Sequence, residues 1–303
     1  MPGFGVQLAT DSKGKPKRMT GIKRLEYKLD GVRMVAIVQN GTVSLMSRNG
    51  KELENFPAIS NAIENIANQF ATDFPLGFVL DGEVMGQSFQ DLMKQARRKS
   101  DVQTDSMVYN VFDIIDLEAF ETGTWNKTQA DRTTIIENFR ILLEGTGCIK
   151  VSDGFNVDLD TEQGHKELDA YFEKAVSEGL EGIMIKDVDA VYSCKRTDAW
   201  LKLKPALTVD LTVIDVEEGT GRNAGRMGAL VCEGVDMGLK INVNVGSGYS
   251  DTQRDEYWDA RADIVGQVVE VMADSVTQNQ DGSFSMRFPR FVRFRGFEAG
   301  EKM

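Results

Sequence analysis

Histidine is almost missing from this chain. The 303 residues contain one, His165, and that scarcity removes serine-histidine-aspartate hydrolysis and multi-histidine zinc sites from the available chemistry. His165 sits in a polar helical stretch and reads as a surface residue. Cysteine is nearly as scarce. Cys148, Cys194 and Cys232 are odd in number, far apart and never spaced C-x-x-C, so neither a disulfide framework nor a structural zinc site is expected. No apolar run is long enough for a membrane-spanning helix. The first twenty residues hold Lys13, Lys15, Lys17 and Arg18 with no apolar stretch behind them, unlike a secretory signal. A cytoplasmic protein with no membrane partner is the expectation. Positive charge is also in deficit, with 35 Lys and Arg against 47 Asp and Glu and a net charge of -12. That balance argues against nonspecific affinity for nucleic acid, which rests on neutralising phosphates. Basic residues still cluster in the segments Lys13 to Arg24, Lys94 to Lys99 and Arg287 to Arg295, so a local basic face is compatible with an acidic whole. Any catalysis must rest on Lys, Arg, Asp and Glu.

What is present is a soluble-type composition, 41% apolar and 27% charged, at a length that suits two domains. From Lys23 to Ser47 the pattern reads as paired strands with turn signals at Asp30-Gly31 and Asn40-Gly41. Pro57 to Phe70 and Phe89 to Lys99 read as helices, Val108 to Ile115 as a strand, and Thr128 to Glu144 and Glu162 to Glu178 as helices. Gly182 to Lys186 and Trp200 to Lys204 read as short strands. Beyond Pro205 the runs Leu211 to Glu217, Gly228 to Cys232, Lys240 to Val245 and Val265 to Met272 are strand-like, with one helical stretch at Asp251 to Ala262. Short strands with a single helix suggest a small β-barrel of the OB type. Domains of residues 1–205 and 206–303 are therefore expected. The glycine-rich stretch Gly219 to Gly225 fits neither the P-loop nor the dinucleotide spacing and reads as a hairpin loop.

Lys28-Leu29-Asp30-Gly31-Val32-Arg33 fits K-x-D-G-x-R. In isolation an Asp-Gly turn flanked by charges is more often an ordinary hairpin. An ordered set follows it: Asp81-Gly82-Glu83, then Phe112-Asp113-Ile114-Ile115, then Glu181-Gly182-Ile183-Met184-Ile185-Lys186, then Leu201-Lys202-Leu203-Lys204-Pro205. Together these resemble, in order, the elements of the ATP-dependent DNA ligases, particularly the small phage type, within the covalent nucleotidyltransferases. Gly225-Arg226-Met227-Gly228, Val245 to Ser250 and Arg287 to Phe291 extend the resemblance into the last third. It implies an α+β protein: an ATP-grasp-like adenylation domain of antiparallel sheets with helices, followed by an OB-fold barrel.

The resemblance also implies roles. Lys28 would attack the α-phosphate of ATP, which requires a neutral amine and leaves a phosphoramidate. Lys186, Lys202 and Lys204 would surround that phosphate, and strand alternation puts Lys202 and Lys204 on one face. Glu181 would hold Mg²⁺, a cation that favours oxygen ligands. Glu83 would take the ribose hydroxyls, Arg33 and Arg48 the ribose and the nick phosphate, and Phe112 would stack on adenine. Glu26 would help to read the adenine edge, with Tyr27 and Leu29 also lining the nucleotide. The partner implied is nicked double-stranded DNA, sealed by a monomer in repair, replication and recombination. With 27 residues before Lys28, a minimal catalytic core is the expectation. The tail departs from the family pattern, since the basic element that orients pyrophosphate is matched only by Arg290, Arg293 and Arg295. The rivals are an RNA ligase or mRNA capping-type enzyme, and a noncatalytic OB-fold DNA-binding protein.

Overall fold

A computed structural model of the chain describes residues 4–12, 19–87, 89–96, 98–99, 101–236, 238–279 and 282–296. Lys13, Lys15, Lys17, Arg18 and Arg97 of the basic clusters lie outside the described residues. The chain divides into two compact units, Met1–Leu203 and Lys204–Met303.

The first unit opens with strands β1 (Leu8–Asp11), β2 (Ile22–Tyr27), β3 (Val32–Gln39) and β4 (Thr42–Ser47). Helix α1 (Pro57–Ile66) starts on Pro57, where the missing N–H costs nothing, and tightens into a 3-10 turn over Ala67–Phe70. Then come β5 (Phe78–Met85), α2 (Phe89–Ala96), β6 (Val108–Asp116), α3 (Leu117–Thr122) and β7 (Thr124–Thr128). The single helix expected over Thr128 to Glu144 is two, α4 (Gln129–Asn138) and α5 (Arg140–Glu144), broken at Phe139. Strands β8 (Ile149–Val151) and β9 (Gly154–Asp158) precede α6 (Glu162–Ser177), and β10 (Ile183–Asp187), β11 (Val191–Ser193) and β12 (Arg196–Leu203) complete the unit.

Two five-stranded sheets carry this unit, ordered β1-β12-β10-β2-β9 and β4-β3-β5-β6-β8. Each is mixed rather than purely antiparallel, because β1 runs parallel to β12 and β6 parallel to β8. Alternation sorts the residues. On the first sheet Leu25, Ile183, Ile185 and Leu201 pack with Leu168 and Ala175 of α6. On the second, Met34, Ala36, Leu80 and Ile114 pack with Ile59 and Ile63 of α1 and Ile136 of α4. The remaining faces share a third cluster, in which Val35, Val79 and Ile115 meet Tyr192 and Trp200.

The two turn signals near the start have different fates. Asn40 and Gly41, with φ of 52° and 77°, close a true hairpin between β3 and β4. Asp30-Gly31 does not, because β2 and β3 belong to different sheets. That segment is a crossover, and the paired-strand reading of Lys23 to Ser47 is corrected at that turn. Its glycine answers to crowding: a Cβ on Gly31 would lie 2.1 Å from the carbonyl oxygen of Val84.

The second unit contains β13 (Leu207–Glu218), β14 (Met227–Asp236) and β15 (Leu239–Val245), helices α7 (Asp251–Asp259) and α8 (Arg261–Ile264), then β16 (Val268–Ala273), β17 (Ser275–Gln278), β18 (Phe284–Arg287) and β19 (Arg290–Gly296). They form one seven-stranded sheet, ordered β17-β18-β15-β14-β13-β16-β19. Leu211, Val213, Leu230, Val243, Val269 and Phe291 are among its core residues. Gly219 to Gly225 lies in the connection between the paired strands β13 and β14, as a hairpin loop should. His165 is exposed, and the cysteines are free, Cys232 buried and the other two half-buried.

Candidate active site

Lys28 follows directly on β2, and its backbone N–H donates to the carbonyl of Gly182 at 2.9 Å. That bond registers the K-x-D-G segment against the loop that enters β10. Gly182 has φ of 135°, a conformation open to glycine and little else. It turns the preceding Glu181 so that its carboxylate meets the Lys28 ammonium in an ion pair, with both side chains partly exposed. Two residues 153 apart in sequence thus form the centre of the candidate site.

Along the same sheet face the cross-strand neighbours of β2 and β10 are Glu26 with Met184 and Arg24 with Lys186. Glu26 is 4% and Lys186 1% exposed, and the Lys186 ammonium lies 2.7 Å from the Glu26 carboxylate. The second oxygen of Glu26 accepts from Arg24 at 2.8 Å. Lys186 also donates to the carbonyl of Phe112 at 3.3 Å and stands 4.9 and 4.5 Å from the ring centres of Phe112 and Trp200. Its ammonium therefore stands among Glu26, the Phe112 carbonyl and two aromatic rings. Lys186 is thus buried with its ammonium on Glu26, on the strand next to the one that carries Lys202.

Arg33 and Glu83 are cross-strand neighbours on β3 and β5. The Arg33 guanidinium grips Asp81 through two bonds of 2.6 Å, the geometry a planar fork allows. Burial works against its charge, yet the Asp81 carboxylate outweighs that and holds Arg33 above its ordinary value. Tyr192 donates to the same carboxylate at 2.9 Å. Glu83 accepts from the Gly31 N–H at 3.2 Å. Burial pushes its carboxyl up to about 7, against the pull of Arg33, Lys28 and that N–H. Phe112 sits where the β5–β6 register slips by one residue, and Arg33 lies 4.6 Å from its ring centre. Such a bulge re-aims a side chain, here into the space between the sheets.

Other expected residues stand apart. The Tyr27 ring stacks on Tyr171 of α6 at 4.5 Å, on the sheet face opposite Glu26, so its side chain is not part of this constellation. Strand alternation dictates that separation. Leu29 is half-buried in the crossover, and Arg48 is exposed in the turn after β4. Lys202, on β12, pairs in register with Met184 of β10, and Lys204 approaches Asp274 at 3.8 Å. The tail arginines are already engaged. Arg290 donates to Asp274 at 2.9 Å, Arg293 to Glu270 at 2.7 Å, and Arg295 lies 3.0 Å from Glu270. The basic face expected of that cluster is thus largely neutralised within the unit, whereas Lys94, Lys99 and Arg287 are exposed. A cavity of about 580 Å³ lined by Phe4, Ile37, Leu117, Phe120 and Cys194 holds none of the residues expected at the nucleotide.

Sequence reasoning passed over Asp81, Arg24, Tyr192 and Trp200. Asp81 and Trp200 lay inside quoted segments without a role, and a buried charge partner for Arg33 could have been sought in D-G-E. Nothing local marks Tyr192. Among the described residues no group of three or more His, Cys, Asp or Glu could hold a metal. A lone carboxylate such as Glu181 still suits Mg²⁺, which keeps several waters and takes the rest of its shell from substrate phosphates.

Residues 7–204 match the family model described as ATP dependent DNA ligase domain, and residues 218–295 that described as DNA ligase OB-like domain. DNA ligase 2 of Methanosarcina acetivorans is 29% identical, with 95% of this chain and 54% of that protein covered. The DNA ligase of Haloferax volcanii is 31% identical, covering 93% of this chain and 51% of that protein. The chain spans about half the length of the curated relatives it matches. A solved structure named Pmar-Lig_PreS3 superposes with a TM-score of 0.91 at 46% identity, covering 97% of this chain and 68% of that one. The ATP-dependent DNA ligase of bacteriophage T7 in complex with ATP shares the fold at a TM-score of 0.59 and 20% identity, covering 96% and 99%. The first unit accordingly has the nucleotidyltransferase adenylation fold and the second the OB fold.

Proposed function

The chain belongs to the ATP-dependent DNA ligase family, and from that premise we propose that it seals nicks in duplex DNA through an adenylate carried on Lys28. The observation that carries this reading is the pairing of Lys28 with Glu181 at the mouth of the K-x-D-G crossover. The Lys28 amine, once free of its proton, attacks the α-phosphate of ATP and pyrophosphate leaves. AMP then passes to the 5′-phosphate of the nick, and the 3′-hydroxyl displaces it to join the strand.

To each remaining residue we assign a part. Lys202 and Lys204 neutralise phosphate charge, as phosphoryl transfer demands. Glu83, with its free oxygen, accepts from a ribose hydroxyl, and Arg33, locked on Asp81, supports the same side of the sugar. Phe112 stacks on the base. Adenine offers an N–H donor at N6 and an acceptor at N1. The Glu26 carboxylate and Lys186 ammonium supply the complementary acceptor and donor, and guanine would present the reverse. Arg48 remains our candidate for the nick phosphate. Glu181 is the carboxylate we assign to Mg²⁺, whose charge offsets that of the triphosphate when bound.

Incubation with labelled ATP, Mg²⁺ and nicked DNA tests the whole. Sealed product is expected from the wild type and none from Lys28→Ala. Retention of sealing by that variant, or covalent labelling by GTP alone, overturns the reading, as does full sealing in excess chelator for the Mg²⁺ assignment. A monomer acting in the cytoplasm is part of the same proposal. Among the described residues no helix is long and apolar enough to cross a membrane.

A further inference from the structure

Behind the candidate site lies a buried polar network that none of the proposed steps uses. Arg132 of α4 is 0% exposed and donates to both oxygens of Asp113 at 2.8 and 3.0 Å. Its other donors reach the carbonyls of Lys127 at 2.7 Å and Ala190 at 3.4 Å. Burying such a pair gains little stability over apolar packing of the same shape, so its retention invites a reason beyond stability.

Through Gln129 the network reaches toward the site. Arg132 donates to Oε1 of Gln129 at 3.0 Å, and the same oxygen accepts the indole N–H of Trp200 at 2.8 Å. Gln129 is 1% exposed, and its side-chain oxygen takes two donors, the capacity of its two lone pairs. Its backbone is equally fixed: the Gln129 N–H donates to Ala190 at 2.8 Å, and the Thr128–Asp131 capping box pins the start of α4 around it. Trp200, 2% exposed, is the cross-strand neighbour of Lys186 and carries that ammonium 4.5 Å from its ring centre. It also meets the Phe112 ring edge to face at 5.8 Å and 81°. The orientation of one indole therefore bears on both the Lys186 donor and the stacking aromatic.

We propose that Gln129 is a positioning residue for nucleotide selection, holding the Trp200 indole so that Lys186 and Glu26 meet the adenine edge in register. This rests on the reading of Lys186 and Glu26 as the adenine-edge pair. Gln129 touches no substrate. Its effect passes through Trp200, and the loss of its oxygen leaves the indole N–H without an acceptor and the ring without its polar tether.

The test compares ATP with GTP in lysine labelling by the full chain. In Gln129→Leu the KM for ATP should rise about tenfold, the worth of one hydrogen bond, while kcat stays within about twofold. The preference for ATP over GTP should fall by a similar factor. Gln129→Glu keeps the acceptor and should restore both quantities. In a Trp200→Phe background, where no indole N–H remains, Gln129→Leu should add less than about twofold, since the pair is then already uncoupled. Unchanged nucleotide preference in Gln129→Leu, or a loss that Gln129→Glu does not restore, overturns the proposal and leaves the adenine-edge reading standing. A wild-type protein that does not distinguish ATP from GTP overturns both.

Discussion

Lys186 and Glu26 hold each other at 2.7 Å on adjacent strands, both nearly sealed from water, with Arg24 on the second carboxylate oxygen. Removing one member of a buried pair strands the other charge, at a cost of about 3 to 5 kcal/mol. Because Arg24 stays on the second Glu26 oxygen, Lys186→Met is expected to cost less than that, about 1 to 3 kcal/mol in urea titration. The double variant Lys186→Met with Glu26→Gln should lose less than the sum of the two single losses. Equal, additive losses in the two single variants would show that the two charges are not coupled.

The Asp113–Arg132 pair obeys the same physics, and the Lys166–Glu162 pair on α6 does not. The latter side chains are 67% and 83% exposed, so water and salt already screen them. Asp113→Asn should destabilise by about 3 kcal/mol or more. Glu162→Gln should cost under about 0.5 kcal/mol. Denaturation in parallel, at low and high salt, distinguishes the two cases.

Glu83 makes stability depend on pH. Its carboxyl is pushed by burial from 4.5 in the unfolded chain up to about 7 in the fold. The folded state then binds the extra proton between those values, so stability falls as pH rises through that window and levels off above about 7. Glu83→Gln cannot titrate and should lose that slope. A wild-type thermal midpoint that shows no fall relative to Glu83→Gln between pH 4.5 and 7 would refute the assignment.

Gly31 is demanded by its neighbours. A methyl group there meets the Val84 carbonyl at 2.1 Å, and backbone on both sides must shift. A displacement of about 1 Å at a reacting group costs about 100-fold in rate. Gly31→Ala should lower Lys28 labelling by that order, and labelling at the wild-type rate would contradict the crossover geometry.

Grip on DNA should come from the exposed cations, not the paired ones. Lys94→Ala, Lys99→Ala and Arg287→Ala are each expected to reduce the slope of log affinity against log salt by about one. Arg293, which donates to Glu270, should matter less when replaced together with that acid as Arg293→Ala, Glu270→Ala. An equal change in slope would restore the basic tail to the DNA interface.

Much of this was visible in the chain, and the failures have causes. Helices α1 and α6 follow from apolar spacing, and β6 from its branched and aromatic run. The Asp30-Gly31 crossover mimics a hairpin because the local signal cannot report that β2 and β3 join different sheets. Strand β1 carried no signal of its own, since its partner β12 lies some 190 residues on and supplies the pairing. Strand β19 was read as a basic cluster because its arginines find carboxylates only across the sheet, as Arg293 finds Glu270. The Gln129 link to Trp200 spans 71 residues and carries no local signature at all.

The most direct test is peptide mass spectrometry of the protein after incubation with ATP and Mg²⁺. An AMP-sized increment on the peptide bearing Lys28, lost in Lys28→Ala and diminished in Glu181→Ala, is the predicted result. An unmodified Lys28 peptide, or the increment on another lysine, would contradict it.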